Sequence, residues 1–164
     1  MRLHLVTFGK LKTPGLKEAT EYYAKLVGGF VPLVETELKP LSVPDKSPAT
    51  RRQIQEKESS LLLEKLDQLL SGRGAFYLLD EGGKSLSTAQ WAQQVRDWER
   101  DGLPDLALCI GSSLGFSDEV KKRARGKFAL GPQTLPHELA RVVLLEQIYR
   151  AWSVTRNHPY HVEG

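Results

Sequence analysis

Cysteine is nearly absent from this chain of 164 residues: Cys109 stands alone, inside an apolar run. A disulfide framework and a cysteine zinc cluster are therefore excluded, because each needs at least a second thiol. Long apolar runs are missing too, and none approaches the ~20 residues that span a bilayer. The opening MRLHLVTFGK lacks the apolar centre of a signal peptide, so a reducing, cytoplasmic setting is expected. There is no internal repeat, no low-complexity tract and no G-x-G-x-x-G phosphate loop; Phe8-Gly9-Lys10 after the first strand carries a single glycine. Charge of one sign is scarce, with a net +3, which permits a nucleic-acid partner without demanding one. The length suits one domain over 1–164 with a core of its own.

What is present is alternation. Leu3–Phe8 reads as a strand, Gly15–Val27 as a helix stopped by Gly28-Gly29, and Val31–Leu38 as a second strand. Lys39–Ala49 holds three prolines and is a mobile-loop candidate. Thr50–Leu70 is a helix with Ile54, Leu62, Leu66 and Leu69 inward. Ala75–Leu79 is a buried strand leading into the loop Asp80–Lys84. Ser87 caps a helix carrying Trp91, Val95 and Trp98, closed by Asp101-Gly102. Asp105–Ile110 is another buried strand, Ser117 starts a basic helix ending near Gly126, and Lys127–Leu130 is a short last strand. The order βαβαβαβαβα with continuous apolar strands predicts an α/β fold, a mostly parallel sheet with helices on both faces. Ligands of such sheets sit beyond the carboxyl ends of the strands. That singles out Asp80–Lys84, Gly111–Gly115 and Gly131–Pro136.

The final helix is unusual. Thr134 is the expected N-cap and Pro136 falls in the first turn. Ala140, Val142, Leu144, Leu145, Ile148, Tyr149, Ala151 and Trp152 form a very wide apolar arc, interrupted by Arg141. A helix so coloured needs cover on most sides, and in a small chain a second subunit is the expected cover.

LPHELARVVLLEQIYRAWSVTRNHPYH, LLDEGGKSLST and LCIGSSLGFS, in that register along the whole chain, resemble the ribosomal RNA large subunit methyltransferase H family, within the SPOUT superfamily of α/β-knot methyltransferases. The resemblance implies a C-terminal trefoil knot, S-adenosyl-L-methionine bound bent within it, and a homodimer in which each site is completed by the partner. It implies a substrate too: a pseudouridine in helix 69 of 23S rRNA, methylated at N3 in the assembled ribosome. By position, Leu79, Gly111, Ser112 and the knot loop Gly131, Pro132, Gln133, Thr134, Leu135 and Pro136 correspond to cofactor contacts. His137, Arg150 and Tyr160 correspond to substrate-handling positions. One departure stands out: the family's Gly-Gly-Pro-acidic-Gly is Gly111-Ser112-Ser113-Leu114-Gly115 here. Serine preserves a backbone N–H contact, but a positive φ at that position would strain it by about 1 kcal/mol or more.

Each of these side chains has a plainer role beside the functional one. His137 is either the base for the imide proton or a capping and packing residue. Arg150 holds an RNA phosphate or a developing negative charge, or else pairs with Glu146 at i, i+4. Tyr160 stacks on a base or donates its hydroxyl, or packs over the long helix. His158 and His161 do not make a metal site, since spacing supplies no third ligand. Lys121, Lys122, Arg123, Arg125 and Lys127 form a phosphate-facing patch or a solvated helix face, and Lys10 with Lys12 is a second such patch. Two other readings stay open: an RNA- or ribosome-binding α/β-knot protein with weak or lost catalysis, motivated by Ser112-Ser113, and an unknotted nucleotide-binding module, against which the missing phosphate loop argues.

Overall fold

The structure, a computed structural model, describes residues 1–161. Strand β1 (Arg2–Phe8) is followed by α1 (Leu16–Gly28), β2 (Leu33–Leu38), α2 (Pro48–Leu69), β3 (Ala75–Ser85) and α3 (Thr88–Asp101). Then come β4 (Asp105–Ile110), α4 (Asp118–Arg123), β5 (Gly126–Ala129), α5 (His137–Thr155) and a 3₁₀ turn, Pro159–His161. The five strands form one sheet in the order β2-β1-β4-β3-β5, and every pairing is parallel. All carboxyl ends therefore meet one edge.

The two faces are built by strict alternation, the period-two geometry of a strand covered on both sides. Leu3 and Leu5 of β1, Tyr77 of β3 and Leu106, Leu108 and Ile110 of β4 pack on α1, α3 and α5. Val6 and Phe8, Phe76 and Leu78, Ala107 and Cys109 turn the other way, onto α2 and α4. Burial pushes the Cys109 thiol well above its ordinary range, so it serves as a small apolar side chain. Trp91, Trp98 and Trp152 are all buried in the first layer, as packing residues. His4 is buried at the start of β1 and meets Asp105 of β4 at 3.0 Å; this bond holds the Asp105 carboxyl below its usual range.

Several expected boundaries move, β2 starting at Leu33 and α4 ending at Arg123 among them, and three of the shifts have a local cause. The last helix starts at His137, and its cap is Pro136 in an extended conformation (φ −55°, ψ 143°), without a side-chain cap bond. Thr134 is not the N-cap, because a proline disfavours the helical region for the residue before it and so pushes the start beyond Leu135. Asp80–Lys84 is not a free loop: β3 runs on to Ser85, with a register shift between Leu79 and Lys84 along β5. Helix α2 begins earlier than Thr50, at Pro48, because Ser47 caps it by accepting from the Thr50 N–H.

The breadth of the apolar arc on α5 also has an explanation within one chain. The helix lies on the sheet between α1 and α3, and both pack along it. Arg141, which interrupts the arc, is buried and donates to Glu35 and Glu37 of β2, 3.1 Å each.

Candidate functional site

A cavity of about 530 Å³ opens at the sheet's carboxyl edge, within the size range of small-molecule sites. Its floor comes from the strand ends: Leu79 of β3, Ile110 of β4, Phe128 and Ala129 of β5. Its walls are the loop after β4 and the turn that feeds α5. Leu79, Gly111, Ser112, Gly131, Gln133, Thr134, Leu135, Pro136 and His137 all line it; Pro132 does not. Gly131 has φ +125°, a conformation open to glycine and strained for other residues, so the turn depends on that residue. Gly111 leaves room for the Phe116 ring, 3.1 Å from where a Cβ would stand.

Asp80 and Glu81, from the first of the three loops singled out in the sequence, line the cavity as well, and so does Phe116, which was not a site candidate. For Phe116 the available signal was an aromatic residue just beyond a glycine loop. The two acids were placed at the right edge by the loop assignment, although no role was attached to either side chain. Asp80 accepts from the Gly82 N–H at 2.8 Å and lies 3.7 Å from Lys121.

The Ser112 departure has a local answer. Asn157 is the non-glycine residue with positive φ among the described residues, so Ser112 carries no such strain. Its hydroxyl donates to Glu58 at 2.5 Å, and its oxygen accepts from the Leu114 N–H at 3.2 Å. Glu58, only 3% exposed, also accepts from the Leu41 N–H at 2.9 Å, while Gln55 donates to the Leu114 carbonyl at 2.7 Å. One buried carboxylate on α2 thus ties the proline-rich segment after β2 to the wall of the cavity. Glu58→Ala leaves the Ser112 hydroxyl and the Leu41 N–H without this partner. The expected loss is about 1–3 kcal/mol, or several degrees in Tm. A thermal melt matching the unmutated chain would show that the tie contributes nothing.

At the start of α5, His137 is exposed at the cavity rim. Beside it the Glu138 carboxylate accepts from the backbone N–H of Lys12 and Thr13 and from the Thr13 hydroxyl, the last at 2.7 Å. These bonds, the Thr13 hydroxyl foremost, hold the Glu138 carboxyl down at about 2.

Arg150 and Tyr160 are elsewhere. Arg150 is thirteen residues beyond His137 on α5, about 20 Å along the axis at ~1.5 Å per residue. There it donates to Glu146 through Nε (2.9 Å) and Nη2 (2.6 Å), and its guanidinium lies 4.9 Å from the Tyr160 ring centroid. The Tyr160 hydroxyl donates to the same Glu146 oxygen at 3.0 Å, and its ring packs on Tyr149 with centroids 4.5 Å apart. Burial first, then the Glu146 carboxylate, push the phenol up to about 12, so it remains a donor at neutral pH. The Glu146 pairing expected as the plainer role of Arg150 is present, but as part of a wider cluster with Gln147 and Tyr160 rather than a lone surface pair.

Among the described residues no cluster of His, Cys, Asp and Glu could hold a metal ion, and no helix is long and apolar enough to cross a membrane. The basic run around α4 is largely engaged: Lys121 faces Asp80, Arg123 faces Asp67 and Arg125 faces Asp101.

Comparison with known proteins adds a consistent result. A family model described as "Predicted SPOUT methyltransferase" matches residues 1–161. The ribosomal RNA large subunit methyltransferase H of Streptococcus suis is 38% identical over 162 residues, 98% of this chain and 99% of its own. That of Ligilactobacillus salivarius is also 38% identical over 162 residues, with the same shares covered. The protein of the same name from Maridesulfovibrio salexigens is 38% identical over 160 residues, 98% of this chain and 97% of its own.

Proposed function

The chain belongs to the SPOUT methyltransferase family, and from that premise we propose that it methylates 23S ribosomal RNA, using S-adenosyl-L-methionine, at N3 of a pseudouridine in helix 69. The observation that carries the reading is convergence. Eight of the nine positions matched to cofactor contacts come from three separate segments and line one cavity at the carboxyl edge of the sheet.

The cavity suits the cofactor. Leu79, Ile110, Phe116 and Leu135 offer apolar surface for a purine, and the carboxylates of Asp80 and Glu81 offer acceptors for hydroxyl or ammonium groups. When bound, the cofactor supplies an electrophilic methyl group. The protein's part is then to align the nucleophilic nitrogen and manage one proton. His137, at the cavity rim in the first turn of α5, takes the imide proton. Arg150 stabilises the negative charge that develops on the ring, and Tyr160 donates a hydrogen bond. Arg150 lies far along α5 from the cavity of its own chain and Tyr160 lies in the 3₁₀ turn beyond that helix, so both act on the cavity of a second copy, in a homodimer. The trefoil knot belongs to the same reading. It is supported by the path of the chain, which leaves edge strand β5 through the Gly131 turn and returns along α5 to lie between α1 and α3.

The Ser112 substitution no longer favours a catalytically weakened RNA-binding protein, because its backbone is unstrained and its hydroxyl is bonded to Glu58. The test is mass-spectrometric mapping of rRNA after unmodified ribosomes are incubated with the protein and labelled cofactor. Label on one pseudouridine of helix 69 is expected. Label on another nucleotide, or cofactor binding without transfer, overturns the assignment.

A further inference from the structure

A second cavity, of about 640 Å³, adjoins the first across His137, which lines both. It lies at the carboxyl ends of β1 and β2 and is walled by Lys10, Lys12 and Lys39 together with Glu37 and Glu138. Its acids are spent inside the protein: Glu37 on Arg141, Glu138 on the backbone of Lys12 and Thr13 and on the Thr13 hydroxyl. Its three lysines are exposed, and among the described residues none of their side chains is paired with an acid. The α4 run is the reverse case, with three of its five cations facing aspartates. Of the two basic clusters in the sequence, the uncompensated one is beside the candidate site.

The cluster is also held in place. Glu138 pins the Lys12–Thr13 backbone to the first turn of α5. Gly9, at φ +91°, brings the chain against His137, whose Nε2 is 3.4 Å from where a Cβ would project. A carboxyl held down at about 2 keeps its charge, and hence this latch, at every pH above its ordinary value near 4.5; the latch is lost only as pH falls through about 2.

Resting on the methyltransferase reading, we propose that this groove is the track for the RNA backbone: phosphates flanking the target nucleotide sit on Lys10, Lys12 and Lys39, and the base passes His137 into the methyl-donor cavity. Lysines without carboxylate partners act as mobile point charges suited to phosphates, and they fix position without reading sequence. Recognition of a peptide backbone would call for free fixed acceptors. Here the acceptors Glu37 and Glu138 are already occupied.

The experiment compares the protein with a Lys10→Gln/Lys12→Gln/Lys39→Gln variant and a Lys122→Gln/Arg123→Gln control on unmodified ribosomes over a salt series. The groove variant should lose about 30-fold or more in kcat/KM, chiefly through KM, and its salt slope should flatten by about 2, near 0.7–0.9 per phosphate contact. Cofactor affinity by titration should stay the same, and Lys→Arg at all three positions should restore most of the rate. Unchanged KM and salt slope in the groove variant, or the same loss in the control, overturns the proposal. If the unmutated protein transfers no methyl group, the methyltransferase reading fails instead. The groove is then still judged by co-sedimentation with ribosomes, where unimpaired binding of the lysine variant overturns it.

Discussion

Arg150→Ala lowers methyl transfer to ribosomal RNA by about 100-fold or more, the size of loss seen when a donor to a developing anion is removed, and it leaves cofactor affinity unchanged. The split follows from the structure. Arg150 is absent from the cavity at the carboxyl edge of its own chain and sits roughly 20 Å along α5 from His137, at ~1.5 Å per residue. Its bonds to Glu146 and its contact with the Tyr160 ring hold the guanidinium near the C-terminal end of the helix. If the site is shared between two copies, Arg150→Ala and a cavity variant such as Gly131→Val complement each other, since one of the two sites in a mixed dimer keeps both intact halves. Co-expression with two affinity tags, followed by isolation of the mixed species, should recover about half the activity of the unmutated dimer per dimer, or about a quarter in an unfractionated equal mixture. Each parent variant alone should stay near zero. A mixed dimer as inactive as its parents, with both chains folded, removes Arg150 from a shared site.

Much of this arrangement was legible before the structure. The strand order could not be read, but the alternation of strands and helices could, because β4 is apolar from Leu106 to Ile110 and α3 carries its own cap and stop residues. The Gly111 and Gly131 segments were legible as cavity walls for a physical reason: glycine there comes at or just after the end of a strand. What sequence reasoning lost lies in long-range pairing. Glu58 sits in a polar stretch of α2 and looks solvated; only its contact with Ser112, 54 positions away, makes it a buried tie. Arg141 was visible as a charge in an apolar arc. Its partners were visible too, as two acids at alternate positions of one strand, Glu35 and Glu37, which share a face. Nothing local joined the two observations. The uncompensated charge at Lys10, Lys12 and Lys39 was hidden in the same way, because the compensation of the α4 run comes from aspartates on α2, β3 and α3.

The continuation of β3 through Gly82-Gly83 was the least expected feature, and it carries the largest stability effect. A glycine pair after an apolar strand reads as a turn. Here it lets two backbones approach: a Cβ on Gly83 would stand 2.7 Å from the carbonyl carbons of Lys127 and Phe128 and from the Phe128 nitrogen. No rotamer relieves a clash of Cβ with backbone, so Gly83→Ala must push β5 away from β3. The expected loss is at the upper end of the overpacking range, about 3 kcal/mol or more, and about 6–12 °C in Tm for a domain of this size. The damage should not be confined to stability. β5 runs directly into the Gly131–Pro136 wall of the cavity, and Phe128 and Ala129 form part of its floor. Shifting β5 therefore moves a wall relative to Leu79 and Gly111, and cofactor affinity should fall about tenfold or more even where the variant remains folded, since a misplacement near 1 Å is enough to spoil a preorganised site. Gly72→Ala is the matched control, because a Cβ there meets nothing within 4 Å. Calorimetric melting and cofactor titration of the two variants separate a close-approach role from general intolerance of alanine: a Gly83→Ala chain that melts and binds like the Gly72→Ala chain would mean that β3 and β5 are not pressed together at this point.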